Sequence, residues 1–413
     1  QFQVQNKDAA RTLLPDLGVP FFSRLQIMSG GQELEDIQEW SRLYATLLSA
    51  QGSRLNSDEL SLTQHDPSVF SAESPGLLQA ELTDVTVAAN LATTNAKIAT
   101  AIDTINPSKN PSLGALAAAR AAGSTQLYNI PIMSGIFNIE KYFPLLLTDQ
   151  GLDLYFTLAP HVEVGVWSAG ALDGGYEISN VKYVAHEVNL DDGFVNQMKA
   201  SMQSTGGLLS LSSTTYRYYQ QQASANGGQE DHNISCRVKS LKGLLVRPQD
   251  TAMTNNSARF GVSTGQCARI ESVQFRIGSV LYPQEAIKFS NDNKGELFQE
   301  IRKCFGTIGS YNHGTMLNAE TLQHYADERA GEAGVGDAGS VRRLFMIAYD
   351  FETFAKSATE SGINVSDRAL PVTMMLNRTS GATNDHPAAR YDTWAMCDCI
   401  IYIDLMGRMT TRI

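Results

Sequence analysis

Leu152–Leu158 reads LDLYFTL, and its alternation decides how the rest of the chain is read. Leu152, Leu154, Phe156 and Leu158 fall on one face of an extended segment; Asp153, Tyr155 and Thr157 fall on the other. Side chains alternate along a strand, so the pattern predicts a strand with one face in a core. The same period returns far along the chain. Val273, Phe275, Ile277 and Leu281 line one side of VQFRIGSVL, and Cys397, Cys399, Ile401, Ile403 and Leu405 one side of CDCIIYIDL. Clusters of Gly, Asn, Asp and Pro separate these segments, as turns require.

Two short helices are expected among the strands. Over Glu35–Ser49, the residues Ile37, Trp40, Leu43, Tyr44, Leu47 and Leu48 share a helical face, and Leu297, Phe298, Ile301, Cys304 and Phe305 do so over Glu296–Phe305. Gly52 and Gly306 are the expected stops. Residues 53–123 are rich in Ala, Ser, Thr and Leu and read as a partly helical loop insertion. Around it an order recurs. FFSRLQIM (Phe21–Met28), a Gly-Gly turn, the first helix, then GLDLYFTLA and YEISNVKYVAHEV (from Tyr176) precede VQFRIGSVL, the second helix, RRLFMIAYDFETF and WAMCDCIIYIDLM. Strand, helix, strand, strand, twice, is economically read as an internal duplication. The expected divisions are an N-terminal arm at 1–20, a first β-domain at 21–225 and a second at 226–413.

Composition narrows the function. With 413 residues the chain suits two domains rather than one core. A net charge of -11, with Lys and Arg scattered, repels phosphate and argues against packaging or scanning nucleic acid. Cys236, Cys267, Cys304, Cys397 and Cys399 are odd in number and mostly widely spaced, which favours reduced, buried thiols. No apolar run reaches the roughly 18 residues of a membrane span, and no secretory signal is expected. The chain opens on Gln1 rather than Met, which fits trimming.

Each motif that hints at chemistry has a plainer reading. Asp350 and Glu352, in LFMIAYDFETF (Leu344–Phe354), stand about 7 Å apart on one face of a strand, as in metal-dependent nucleases. Such an enzyme needs further carboxylates to hold two metals. Only Asp392, Asp398 and Asp404 are left downstream, without strand–helix alternation, so a polar strand end is preferred. Gly261-Val262-Ser263-Thr264-Gly265 matches the G-x-S-x-G elbow but lacks the strand before and helix after it. His161-Val162-Glu163 lacks the P-C-x-x-C partner of zinc deaminases. Cys397-Asp398-Cys399 has the wrong spacing for common zinc sites and shares a face with Ile401 and Ile403. Tyr216, Tyr218 and Tyr219 could stack on bases or sugars, but without basic neighbours an amphipathic strand or a subunit contact is preferred. No catalytic, cofactor or metal residue is therefore assigned, and the chain is read as a building block.

Three stretches then carry a resemblance: SRLQIMSGGQELEDIQEWSRLYATLL (Ser23–Leu48), IPIMSGIFNIEKYFPLLLTDQGLDLYFTLA (Ile130–Ala159) and YEISNVKYVAHEVNLDDGF (Tyr176–Phe194). They resemble double jelly-roll major capsid proteins of the tectivirus–adenovirus lineage, in particular those of polinton-like viruses, virophages and related viruses of algae and protists. The resemblance implies an all-β fold of two tandem eight-stranded antiparallel jelly rolls. It implies homotrimeric, pseudo-hexagonal capsomers tiling an icosahedral shell of a DNA virus, with no enzymatic activity and no cofactor. The implied partners are the chain itself, neighbouring capsomers, penton and minor capsid proteins, and an internal membrane or basic protein between shell and DNA. Sequence-specific nucleic-acid binding is not implied. The insertion and Ala223–Asp231 would be outward towers or clamps, and residues 1–18 an arm reaching an adjacent capsomer or the inner face. The alternative from another class is a carbohydrate- or receptor-binding jelly-roll protein, a spike or lectin, recognised by a pocket of exposed aromatics with acidic groups.

Overall fold

A computed structural model of the chain describes residues 1–8, 13–16, 19–51, 123–139, 142–167, 174–204, 206–223, 228–251, 261–262, 265, 270–289, 293–306, 315, 317, 322, 345–352, 361–378 and 388–413. The insertion expected at 53–123 lies outside these residues except for Gly123, as do Ser263, Thr264, Cys267 and Leu344. Every strand pairing among the described residues is antiparallel.

The first lobe is a sandwich. β3 (Phe22–Ser29) turns at Gly30-Gly31 into β4 (Gln32–Gln38), and β6 (Asp153–Leu158) pairs with the other edge of β3. Both glycines have positive φ, +56° and +81°, which a tight hairpin demands and which side chains with a Cβ resist. β1 (Phe2–Asn6) lies between β5 (Thr125–Tyr128) and β8 (Tyr176–Ser179) in the facing sheet. Phe2 packs on Phe22 with ring centroids 5.2 Å apart, and on Tyr128 at 5.3 Å. A smaller pair joins β2 (Leu13–Pro15) to β7 (Gly165–Trp167).

The second lobe repeats the plan. β12 (Ile270–Ile277) and β13 (Val280–Lys288) form a hairpin beside β15 (Val372–Arg378) and β10 (Gly228–Ile234). Opposite lie β11 (Leu241–Asp250), β14 (Ile347–Asp350), β16 (Ala389–Asp404) and β17 (Met409–Arg412). Phe275 on β12 meets Tyr349 on β14 at 5.6 Å, closing this sandwich. β9 (Leu208–Ala223) pairs with β16 along its whole length. The expected division at 225/226 therefore falls between strands of different sheets, and β9, from the earlier segment, completes a sheet of the later one.

Three helices lie among the described residues: α1 (Trp40–Gln51), α2 (Asp192–Ser204) and α3 (Gly295–Cys304). None is long and apolar enough to cross a membrane. α3 ends where expected, with Gly306 at φ +61° and its N–H donating to the Lys303 carbonyl at 2.8 Å.

Several expectations are corrected. Glu35–Gln38 belongs to β4, not to the first helix, because Glu35 and Ile37 point inward from a strand while α1 begins at Trp40. Residues 2–6 are not a free arm: Phe2 and Val4 alternate inward and seal the first core. Leu158, Leu281 and Leu405 leave their predicted core faces for solvent, because each stands at or beyond a strand end or turn. Gly228–Asp231 is the start of β10 rather than tower, while 224–227 lies outside the described residues. Tyr176 opens a strand that stops at Ser179 instead of running to Val188.

Candidate assembly surface

Among the described residues singled out for chemistry, Asp350 and Glu352 hold strand ends together. The Asp350 carboxylate accepts the Glu352 backbone N–H at 2.9 Å, folding the chain back after β14. Burial raises its pKa, with the nearby Glu352 charge adding to this against the backbone hydrogen bond. Glu352 accepts the Ser361 hydroxyl at 2.6 Å and lies 3.3 Å from Lys242 Nζ, which also reaches Asp398 at 3.1 Å. Ser240 donates to Asp398 at 2.6 Å. The acidic pair thus fastens strand ends to one another. Among the described residues no cluster of His, Cys, Asp and Glu has the geometry to hold a metal.

Other described candidates are also placed, while Ser263 and Thr264 lie outside the described residues. His161 lies in the turn before β7, where its carbonyl accepts the Trp167 indole N–H at 2.7 Å. Gly265 is held in a backbone contact with Phe345, and a Cβ there would lie 2.2 Å from the Phe345 carbonyl oxygen. Cys397 and Cys399 are buried free thiols on β16; burial pushes Cys397 well up and Cys399 up to about 12. Tyr216, Tyr218 and Tyr219 lie on β9, half-buried or better, and Tyr218 faces the charges described next.

The two lobes meet across a buried ion network. Arg42, on the inward face of α1 and 2% exposed, places Nη1 2.6 Å from Asp392 Oδ2 on β16. Arg390 Nε lies 2.7 Å from Asp392 Oδ1, and the Tyr218 hydroxyl donates to that oxygen at 2.6 Å. Arg390 also reaches Glu39 at 3.0 Å. Burial alone would raise the Asp392 pKa; Arg42 and Arg390 beside it outweigh this and hold the carboxyl below the usual range. A second clasp uses Glu35 on β4, which accepts from Ser134 Oγ at 2.5 Å, Gly135 N at 2.9 Å and Thr215 Oγ1 on β9 at 2.7 Å. Trp394 Nε1 donates to the Gln38 carbonyl at 3.3 Å beside them. Arg42 Nε lies 3.3 Å from Glu39 Oε2, while Arg42 Nη2 is buried without a hydrogen-bond partner among the described residues. Charges this deep are costly to leave unpaired.

Part of what the molecule leaves outside is apolar. After β8, Asn180 adopts φ +51° and turns the chain into an extended strap, residues 181–190, with no strand partner. Its start is pinned, because Gln1 N donates to Lys182 O at 2.8 Å and Lys182 N to Gln1 O at 2.7 Å. Its end is pinned by Asp191, which caps α2 through Gly193 N at 3.1 Å. Between these points Val181, Tyr183, Val184, Val188 and Leu190 are exposed, followed by Phe194. Tyr183 touches Phe137, which leads to the exposed Tyr142, Leu145 and Leu146. That turn abuts the β16–β17 turn through the Asp149 N–H to Gly407 O bond of 3.1 Å, where Leu405 and Met406 are also exposed. The arrangement leaves a large apolar surface to cover, interspersed with the exposed Lys182, His186 and Glu187.

Sequence reasoning missed the strap, α2 and the ion network. A charged residue inside the apolar face of α1, Arg42 between Trp40 and Leu43, was the available signal for the network. The strap gave none, since its apolar residues imitate a buried strand.

No protein-family model matches the sequence, and a search of curated proteins finds no relative. Among solved structures, the Faustovirus major capsid protein is similar over 95% of this chain and 73% of that one, at 9% identity and a TM-score of 0.51. A chain of the PBCV-1 virus capsid is similar over 100% and 89%, at 10% identity and a TM-score of 0.49. The mavirus major capsid protein is similar over 100% and 82%, at 10% identity and a TM-score of 0.44. Of these three, the first superposes well enough to establish a common architecture, and at its identity architecture is what is shared. The chain has the all-β fold of the double jelly-roll major capsid proteins.

Proposed function

We propose that this chain is a major capsid protein, three copies of which form a pseudo-hexagonal capsomer that tiles an icosahedral virion shell. The observation that carries this reading is the similarity to the Faustovirus major capsid protein along 95% of the chain. The inter-lobe ion network supports it physically. Two sandwiches held as one block, taken three times, give six near-equivalent corners from a single gene product. The chain acts by assembly rather than catalysis, and its conspicuous carboxylates and thiols serve as struts and core. Neighbouring capsomers, penton and minor capsid proteins are the partners this role requires, with a membrane or basic protein between shell and DNA. The acidic balance of -11 keeps free capsomers soluble and leaves sequence-specific nucleic-acid binding out of the role.

Electron microscopy of the purified protein tests the reading. Three-fold particles with a pseudo-hexagonal outline are expected. Fields of separate two-lobed particles, with binding to sugars or a receptor, would instead support the spike or lectin alternative.

A further inference from the structure

A folded chain does not ordinarily hold a run of apolar side chains in water between two pinned ends. The strap exposes Val181, Tyr183, Val184, Val188 and Leu190, interspersed with Lys182, His186, Glu187 and Asn189, over ten residues that span at most about 36 Å. Beyond the two Lys182–Gln1 backbone hydrogen bonds it belongs to no strand, and Val181, Val184 and Val188 stand exposed. α2 continues the surface, with Phe194 outward and Met202 buried at its base. A helix that buries so little of itself adds little to its own lobe's stability.

The size of this surface indicates what covers it. The strap, Phe194 and the adjoining Tyr142, Leu145 and Leu146 expose on the order of 900 Å² of side chain, against about 800 Å² per partner in a stable interface. Its apolar, aromatic character suits the core of a permanent protein contact. In a closed ring of three, contacts are heterologous: one face of each copy meets a different face of the next. A projecting strap on one flank fits that requirement, because it can cross the seam without competing with its own symmetry mate.

We propose that the strap 181–190 and the first turn of α2 dock on a second copy of this chain and carry the subunit contact of the capsomer. The proposal rests on the capsomer reading and adds the residues that make the contact. Because the strap is exposed, substitutions there leave the lobes intact.

Two measurements test it. Val181→Asp with Val184→Asp is expected to convert trimer to monomer at micromolar protein, with an unchanged far-ultraviolet spectrum. Persistence of the trimer at the same dissociation midpoint would overturn the strap proposal and leave the capsomer reading standing; a monomeric parent protein would sink both. In the second, a photo-crosslinking phenylalanine analogue replaces Tyr183 in a trimer mixed from two differently tagged chains. Cross-links between tags are expected, and cross-links confined to one chain would overturn the proposal.

Discussion

At the scale of single residues, Asp392 is the most consequential side chain described. Its carboxylate meets two guanidinium groups and a phenol in an interior that would otherwise disfavour every one of these charges. Asp392→Asn should therefore cost about 3–5 kcal/mol in chemical denaturation, because Arg42 and Arg390 stay buried without their counter-charge. A loss under about 1 kcal/mol would show that the network does not hold the lobes. The acid limb follows from the lowered pKa. A depressed carboxyl contributes stability that is complete above its unfolded value of about 4 and is lost as pH falls further, through the folded value. Urea melts should show stability falling below about pH 4, and a shallower fall in Asp392→Asn. The thiols make a separate prediction. Burial raises Cys397 and Cys399, so a maleimide at pH 8 should leave both unlabelled in native protein and modify them after unfolding. Rapid native labelling of either would contradict their burial.

At the scale of elements, both lobes contain a hairpin followed by a helix: β3–β4–α1 and β12–β13–α3. The helix face from Trp40 to Leu47 and the strands at Leu152, Val273 and Cys397 were legible in the sequence, because period 3.6 and period 2 differ over six or more residues. The second strand of each hairpin was not. In β4, Leu34, Glu35 and Ile37 are all buried, so a buried acid breaks the alternation, and the apolar spacing into α1 imitates a longer helix. Glu35 is there because the Ser134–Ile136 loop and Thr215 supply donors from distant parts of the chain, which no local pattern reveals. The strap failed for the opposite reason: exposed residues with a buried pattern. The site candidates were legible as residues and illegible as contacts, since Asp350 and Glu352 find their roles through Lys242 and Ser361. Gly135 tests the clasp. A Cβ there would lie 2.3 Å from the Thr214 carbonyl oxygen, so the loop and β9 must part to admit it. Gly135→Ala should cost about 1–3 kcal/mol, read as a lowered denaturation midpoint. An unchanged midpoint would mean the loop does not seat on β9 as described.

At the scale of the whole molecule, the chain divides its physics between an inside that is rigid and a flank that is unfinished. Paired charges, the Trp394 contact and the pairing of β9 with β16 join two sandwiches into one block. The apolar strap and its neighbours stay uncovered in the single chain. On the proposed reading, association with further copies of the chain covers this flank. Light scattering of the purified protein at low and moderate salt tests this most directly. A species of about 135 kDa, three times the 45.0 kDa chain, persisting at moderate salt as an apolar interface should, is the predicted result. A stable 45.0 kDa monomer at the same concentrations would contradict it.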